Sequence, residues 1–354
     1  MGKYKGIFWP ALIGLGHIPK VKNDQFYDQG GRYKRVTGDE KMSFYLRHPV
    51  FRNNLSLFFN MDEKTLKLIS RMTYREFCTF YGDLFKTGKS TRVDEVADAF
   101  NYLLEQDEKG NIRILSGFYS AEEVSRDPDK ARPRAIFYKG SSVKPAAIVI
   151  PGGGFDSNVN EYEGFPYAME LHKAGYSVFI YNHRVGEQLH VKDSQKKGEE
   201  AVRDTVVFLE WLLEHEKELG ISMKGYAVFG SSAGGLIATA LTFSNYGDCS
   251  SKRGFPRPCM IAPIYGLDWN IEVRPEDAGV VVFTRVGEGD AFGFDGAAGK
   301  FQEIKAVLGE ENFDAELLSN FPHGSGLGLH TDGEGWMKEA IEFWETHQGK
   351  GRIR

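Results

Sequence analysis

Five residues near the middle of the chain, Gly230-Ser231-Ser232-Ala233-Gly234, fit the pattern G-x-S-x-G. The apolar run GYAVFG leads into them and the small-residue helical run GGLIATALTF follows. At such a strand-to-helix corner the backbone turns so sharply that a side chain at either outer position would clash. The central serine is then held in a strained conformation with its hydroxyl above the sheet. The chemistry on offer is nucleophilic attack by Ser232 on an acyl carbon. The competing reading is a glycine-rich helix start whose free N–H groups hold an anion. Ser231 occupies the variable position, where packing or capping is its expected role.

A serine hydroxyl is a weak nucleophile until a base takes its proton, so a histidine must reach it from elsewhere. Among nine histidines, His323 follows a strand candidate in the glycine-rich loop FPHGSGLG, and His330 competes from the same loop. A carboxylate past the end of another strand can hold the outer nitrogen of that imidazole and fix its tautomer. The run VVVFTRVGEGDAFG offers Glu288 and Asp290 there; Asp290 is favoured, with Asp268 and Asp295 as further candidates. Donors for a developing oxyanion are available in PGGGF, where Gly152, Gly153 and Gly154 follow the strand AAIVI. The N–H groups of Gly153 and Gly154, with that of Ala233 directly after the nucleophile, complete the constellation.

Other polar residues point to structural roles. Glu161 and Glu163 read as the acidic start of the helix containing Met169 and Leu171, where negative charge favours the helix dipole. His183-Arg184 reads as a loop anchor, and His17 and His48 as structural histidines of the N-terminal region. No metal-ligand spacing is present and no cofactor is called for.

The elements that must position these residues are legible as alternating runs. NIRILSGFY, PRAIFYKG, AAIVI, YSVFIYN, GYAVFG, CMIAPIYG, GVVVFTRVG and FDAELLSNF read as strands. EEAVRDTVVFLEWLLEHEKEL repeats Val202, Val206, Leu209 and Leu213 at helical spacing, and GWMKEAIEFWETH closes the chain as a helix. Continuous apolar strands with helical crossovers predict a mostly parallel sheet covered on both faces, with the site at the strands' C-terminal ends. Residues 1–115 differ: aromatic pairs, a helix expected from the N-cap candidate Asp62, and VDEVADAFNYLLEQ with Val93, Val96, Phe100 and Leu103 on one face.

With 354 residues, 41% hydrophobic and 26% charged, the chain has room for one large α/β domain with an appendage, or two ordinary domains. A net charge of −5 gives no reason to expect nucleic acid or an anionic membrane as partner. Cys78, Cys249 and Cys259 form no CxxC pair, which argues against structural zinc and a disulfide framework and for a reducing, cytoplasmic setting. IFWPALIGLG is too short to cross a bilayer and lacks a cleavage site. The expected partner is a small-molecule ester, and a homo-oligomer is compatible with the sequence.

With PGGGF, EYEGFPYAMELHKAGYSVFIYNHRVG, GSSAGG, PHGSGLG and the closing helix assembled, residues 134–347 resemble α/β-hydrolases of the esterase/lipase group. The branch they resemble is that of acetyl esterases and feruloyl-esterase-like proteins; Pro151 stands where lipases of the hormone-sensitive type carry a histidine. The resemblance implies an α/β-hydrolase fold over residues 116–354 and the chain order Ser232, Asp290, His323; residues 1–115, mainly helical by their own pattern, are expected to form an N-terminal cap or lid. The resemblance also implies a serine carboxylesterase that cleaves short-acyl esters, O-acetylated carbohydrate or aryl esters among them, through an acyl-enzyme. An amidase or peptidase with the same triad, and a non-catalytic ligand-binding protein of this fold, are the rival readings.

Overall fold

The structure is a computed structural model; it describes residues 18–52, 54–60, 63–85, 92–243, 256–290, 292 and 296–348. His17, Asp62, Cys249 and Asp295 lie outside the described residues. Eight strands form one sheet: β1 (Ile112–Leu115), β2 (Arg134–Tyr138), β3 (Ala146–Ile150), β4 (Ser177–Asn182), β5 (Ala227–Ser231), β6 (Met260–Ile264), β7 (Val282–Gly287) and β8 (Phe313–Leu318). Their order is β1-β2-β4-β3-β5-β6-β7-β8. From β4 through β3 to β8 every pairing is parallel, and β2 runs antiparallel to both β1 and β4. Strands β3 to β7 are buried along their whole length, which is why they read as unbroken apolar runs; β8 at the far edge is only partly covered.

Before the sheet come α1 (Asn23–Phe26), α2 (Met42–Leu46), α3 (Glu63–Ile69), α4 (Tyr74–Phe85) and α5 (Val93–Glu108). The rest are α6 (Ala121–Arg126), α7 (Phe165–Lys173), α8 (Ser194–Leu219), α9 (Ala233–Thr242), α10 (Ala297–Leu308) and α11 (Trp336–His347). The long crossover α8 starts earlier than its apolar repeat, because the Asp193 carboxylate caps it by accepting from the Lys196 N–H at 3.0 Å. It stops at Gly220, in the left-handed region at φ 67°.

Side chains alternating along the strands feed two cores. Ala135 and Phe137 of β2 belong to the core on the side that carries α8, α9 and α10, whereas Ile136 and Tyr138 belong to the side that carries α7 and α11. The N-terminal helices belong to that second core. Val93, Val96, Phe100 and Leu103 of α5 are buried, and the Phe100 ring packs edge-on against Phe58, Tyr45 and Phe165, the first residue of α7. Each such buried ring stabilises the fold by about 1.5–3 kcal/mol from area alone. His48 sits among Phe26, Phe44 and Phe100, and burial pushes its pKa down to about 3. It is a neutral core histidine whose Nδ1 accepts from the Val50 N–H. The sheet itself begins before residue 116, with β1.

Arg92 and Glu95 carry this N-terminal layer into the loop that holds His323. Arg92 Nη1 donates to the Ser325 carbonyl and, at 3.0 Å, to the Tyr162 hydroxyl; Glu95 Oε1 accepts from the Leu327 N–H at 3.3 Å. Burial pushes the Glu95 carboxyl up to about 7, with the Arg92 charge and the Leu327 N–H opposing that rise. Between pH 4.5 and 7 the folded state therefore holds a proton that the unfolded chain has released. Its stabilising contribution is complete below that window and is lost as pH rises through 7. Glu95→Gln is expected to remove this decline and to raise stability at pH 8 by about 1–3 kcal/mol, read from urea unfolding on both sides of the window. The same pH dependence in wild type and variant would contradict the assignment.

Candidate active site

The structure brings Ser232, His323 and Asp290 together from three separate loops at the C-terminal edge of the sheet. Ser232 follows β5 with φ 51° and ψ −120°, a conformation that costs an L-residue of order 1–3 kcal/mol. Surrounding contacts hold it there: its N–H donates to the Ile264 carbonyl at 3.0 Å, and the turn closes so tightly that backbone touches backbone. A Cβ on Gly230 would lie 2.2 Å from the Gly234 carbonyl oxygen, and one on Gly234 would lie 1.9 Å from that of Ile150. The two outer glycines are thus required by contact, as the corner geometry demands.

His323 Nε2 lies 2.8 Å from Ser232 Oγ, and its Nδ1 lies 2.9 and 3.0 Å from the two Asp290 oxygens. With the carboxylate on one side, Nδ1 carries the proton and Nε2 is left to accept from the serine hydroxyl. The Asp290 side chain is 1% exposed and His323 14%, so the acid is shielded while the base stays reachable. The Asp290 carboxylate also accepts from the Phe292 N–H at 2.8 Å, and the Phe292 ring lies 4.5 Å from the imidazole. The other candidates are placed elsewhere. His330 is exposed and its N–H donates to Glu334; Glu288 accepts from Ser319 Oγ; Asp268 closes a turn on the Asn270 N–H.

In the glycine loop, Gly152 and Gly153 turn their carbonyls inward, where they accept from the N–H groups of Val159, Asp156 and Ser157 at 3.1 Å. Because C=O and N–H point in opposite directions across a trans peptide, the N–H groups of Gly153 and Gly154 face away from the turn's interior. The Ala233 N–H opens α9, where the first turn has no intrahelical acceptor. The Gly152 N–H is already engaged, donating to Glu163 Oε2 at 2.7 Å. Glu163 thus stands at the helix entry, as its position implies, with its carboxyl turned inward onto the glycine loop. It sits 4% exposed in a π-helical turn, Asn160–Gly164, ahead of α7.

Further along the loop, Asn158 exchanges both backbone hydrogen bonds with Asn60, at 2.9 and 3.2 Å, and accepts from the Asn60 side chain at 2.8 Å. Its Nδ2 donates to His183 Nε2 at 3.1 Å, since His183 Nδ1–H is committed to the Arg184 carbonyl. Burial holds His183 below the usual histidine range, in keeping with a neutral ring. Arg184 is fixed in turn by buried Asp204, which it meets through its N–H and guanidinium. The His183-Arg184 pair does anchor a loop, and that loop is next to the glycine turn. Asn60, Asn158 and Tyr265 carry no signal in a single sequence, because their partners are remote along the chain. Among the described residues no helix is long and apolar enough to cross a membrane.

A serine elbow after the central strand, an acid and a histidine after later strands, and a mostly parallel eight-stranded sheet define an α/β-hydrolase fold. Within that class, residues 137–262 match the model of BD-FAE, an esterase-like α/β-hydrolase family. The match takes in the glycine loop and the elbow, while Asp290 and His323 lie beyond it. Among solved structures, an α/β-hydrolase enzyme from a Medee basin deep-sea metagenome library is similar at 19% identity and a TM-score of 0.50, over 68% of this chain and 99% of that one. An acetyl ester-xyloside bifunctional hydrolase from Caldicellulosiruptor lactoaceticus is similar at 20% identity and 0.51, over 66% and 96%. The propionate-bound esterase of Thermogutta terrifontis is similar at 18% identity and 0.51, over 68% and 95%.

Proposed function

We propose that this protein is a serine carboxylesterase for short-acyl esters. The observation that carries the reading is the unbroken chain of hydrogen bonds from Asp290 through His323 to a strained Ser232, beside two N–H groups turned out of the glycine loop. In the reaction Ser232 Oγ attacks the ester carbonyl carbon as His323 Nε2 takes its proton. Asp290 stabilises the imidazolium, and the N–H groups of Gly153, Gly154 and Ala233 receive the oxyanion. The imidazolium returns the proton to the departing alcohol, leaving an acyl-enzyme. Water, deprotonated by the same histidine, then releases the acid and restores the serine.

The short-acyl preference draws support from the acetyl ester and the propionate named for two of the similar structures. O-acetylated carbohydrates and aryl esters are the substrate classes to screen first. The test is hydrolysis of p-nitrophenyl acetate, butyrate and octanoate beside the amide p-nitroacetanilide. Turnover is expected to fall from acetate to octanoate, with the acetate ester favoured over the amide by at least about 100-fold, as kcat/KM ratios measure differential transition-state binding. Preference for octanoate would remove the short-acyl assignment, and comparable amide cleavage would move the protein to the amidases.

A further inference from the structure

A buried carboxyl is costly unless hydrogen bonds replace its water, so the partners of Glu163 say what it is for. Its Oε2 accepts from the Gly152 N–H and its Oε1 from the Tyr265 hydroxyl, both at 2.7 Å. Gly152 lies against the nucleophile: a Cβ there would stand 2.8 Å from Glu163 Oε2, the Ser231 carbonyl oxygen and Ser232 Cβ alike. Tyr265 follows β6 at the strained φ of 38°, and its ring centroid is 4.9 Å from that of His323. The Tyr265 hydroxyl also accepts from the Gly326 N–H at 3.2 Å, in the loop just past His323. Tyr167 reinforces the group from α7, its hydroxyl meeting Ser231 Oγ at 2.8 Å and the Gly326 carbonyl at 3.2 Å.

We propose that Glu163 is a positioning residue for acyl transfer, an inference that rests on the esterase reading: one carboxylate fixes both the oxyanion loop and the ring behind His323. By holding the Gly152 N–H it sets the plane of the peptide that precedes the two outward donors. By holding Tyr265 it fixes a ring that packs, tilted by 55°, beside the imidazole. Glu163 acts through Gly152 and Tyr265, so its effect is expected in kcat with KM nearly unchanged. A displacement of donors by about 1 Å is enough to cost about 10²-fold in rate.

The experiment follows phosphonylation of Ser232 by a fluorophosphonate probe, using intact-protein mass, alongside p-nitrophenyl acetate kinetics. Glu163→Ala is expected to slow labelling and lower kcat by about 30- to 100-fold with KM within about threefold of wild type. Glu163→Gln, which keeps a carbonyl oxygen for the Gly152 N–H, is expected to recover both to within about fivefold. Labelling of Glu163→Ala within about twofold of wild type, or a Gln variant as slow as Ala, overturns the proposal. If Glu163→Ala does not fold, Tyr265→Phe decides: it keeps the ring, removes one of the two bonds and is expected to slow labelling about 3- to 10-fold, and an unchanged rate overturns the proposal. Wild-type protein labelled at Ser232 yet inert toward every ester sinks the esterase reading while the variants still decide this one. Wild-type protein left unlabelled sinks both.

Discussion

Ser232→Ala is expected to lower kcat on p-nitrophenyl acetate by about four to six orders of magnitude, since members of a triad act as a unit and losing the nucleophile forfeits the covalent route. The fold should survive the change. Ser232 Oγ has its hydrogen bond to His323 at the site's open side, and the elbow is held by the backbone bond to Ile264 and by glycine contacts that alanine leaves alone. Thermal unfolding of the variant should therefore track the wild type. Ser231→Ala supplies the contrast within the same pentapeptide. That side chain is fully buried against the Tyr167 hydroxyl, so its loss should act on stability and leave the nucleophile in place. Activity surviving in Ser232→Ala would place the chemistry elsewhere.

Gly234→Ala carries the second large effect, and it falls on the fold. The added methyl would meet the Ile150 carbonyl oxygen at 1.9 Å and the Pro151 carbonyl oxygen at 3.0 Å, both of them backbone. No rotamer relieves such a contact; β3 and the first turn of α9 must separate, and with them the glycine loop and the elbow. A loss of at least about 4 kcal/mol is expected, in the range reserved for core disruption. Chemical denaturation with labelling of Ser232 on the same samples would show both consequences. Gly299 in α10 is the control: nothing lies within 4 Å of a Cβ there, and Gly299→Ala should stabilise by about 0.5–1 kcal/mol. Equal stabilities for the two variants would mean that the elbow is looser than its contacts imply.

The part of this molecule that was legible in its sequence is the part governed by local rules. Strands β3 to β7 announced themselves because burial on both faces leaves no polar alternation, and the elbow did so because its glycines, strand and helix are contiguous. The structure places His323 and Asp290 beside Ser232, where chain order and strand ends put them, and it takes His330, Glu288 and Asp268 away. The inward turn of Glu163 is not legible for a physical reason: an acid at a helix entry looks the same whether it faces water or a glycine N–H. The π-helical turn that swings it inward depends on packing against β4, where a Cβ on Gly164 would already meet Ile180 at 3.0 Å. The Asn60–Asn158 bridge joins residues that no spacing rule connects.

That bridge bears on how such proteins can be recombined. The stretch around residue 115 looks like a natural crossover point between a helical appendage and a hydrolase body. Yet hydrogen bonds cross it, among them Asn60 onto Asn158, Arg92 onto Tyr162 and Ser325, and Glu95 onto Leu327. Two of these end on the loop that carries the histidine, and one on the loop that carries the glycines. A hybrid that exchanged the first hundred residues alone would thus present mismatched halves directly behind its own reaction centre. Residues 157–162 and 325–327 would have to travel with the N-terminal layer, so the heritable unit here is a surface of contact drawn from three places in the chain.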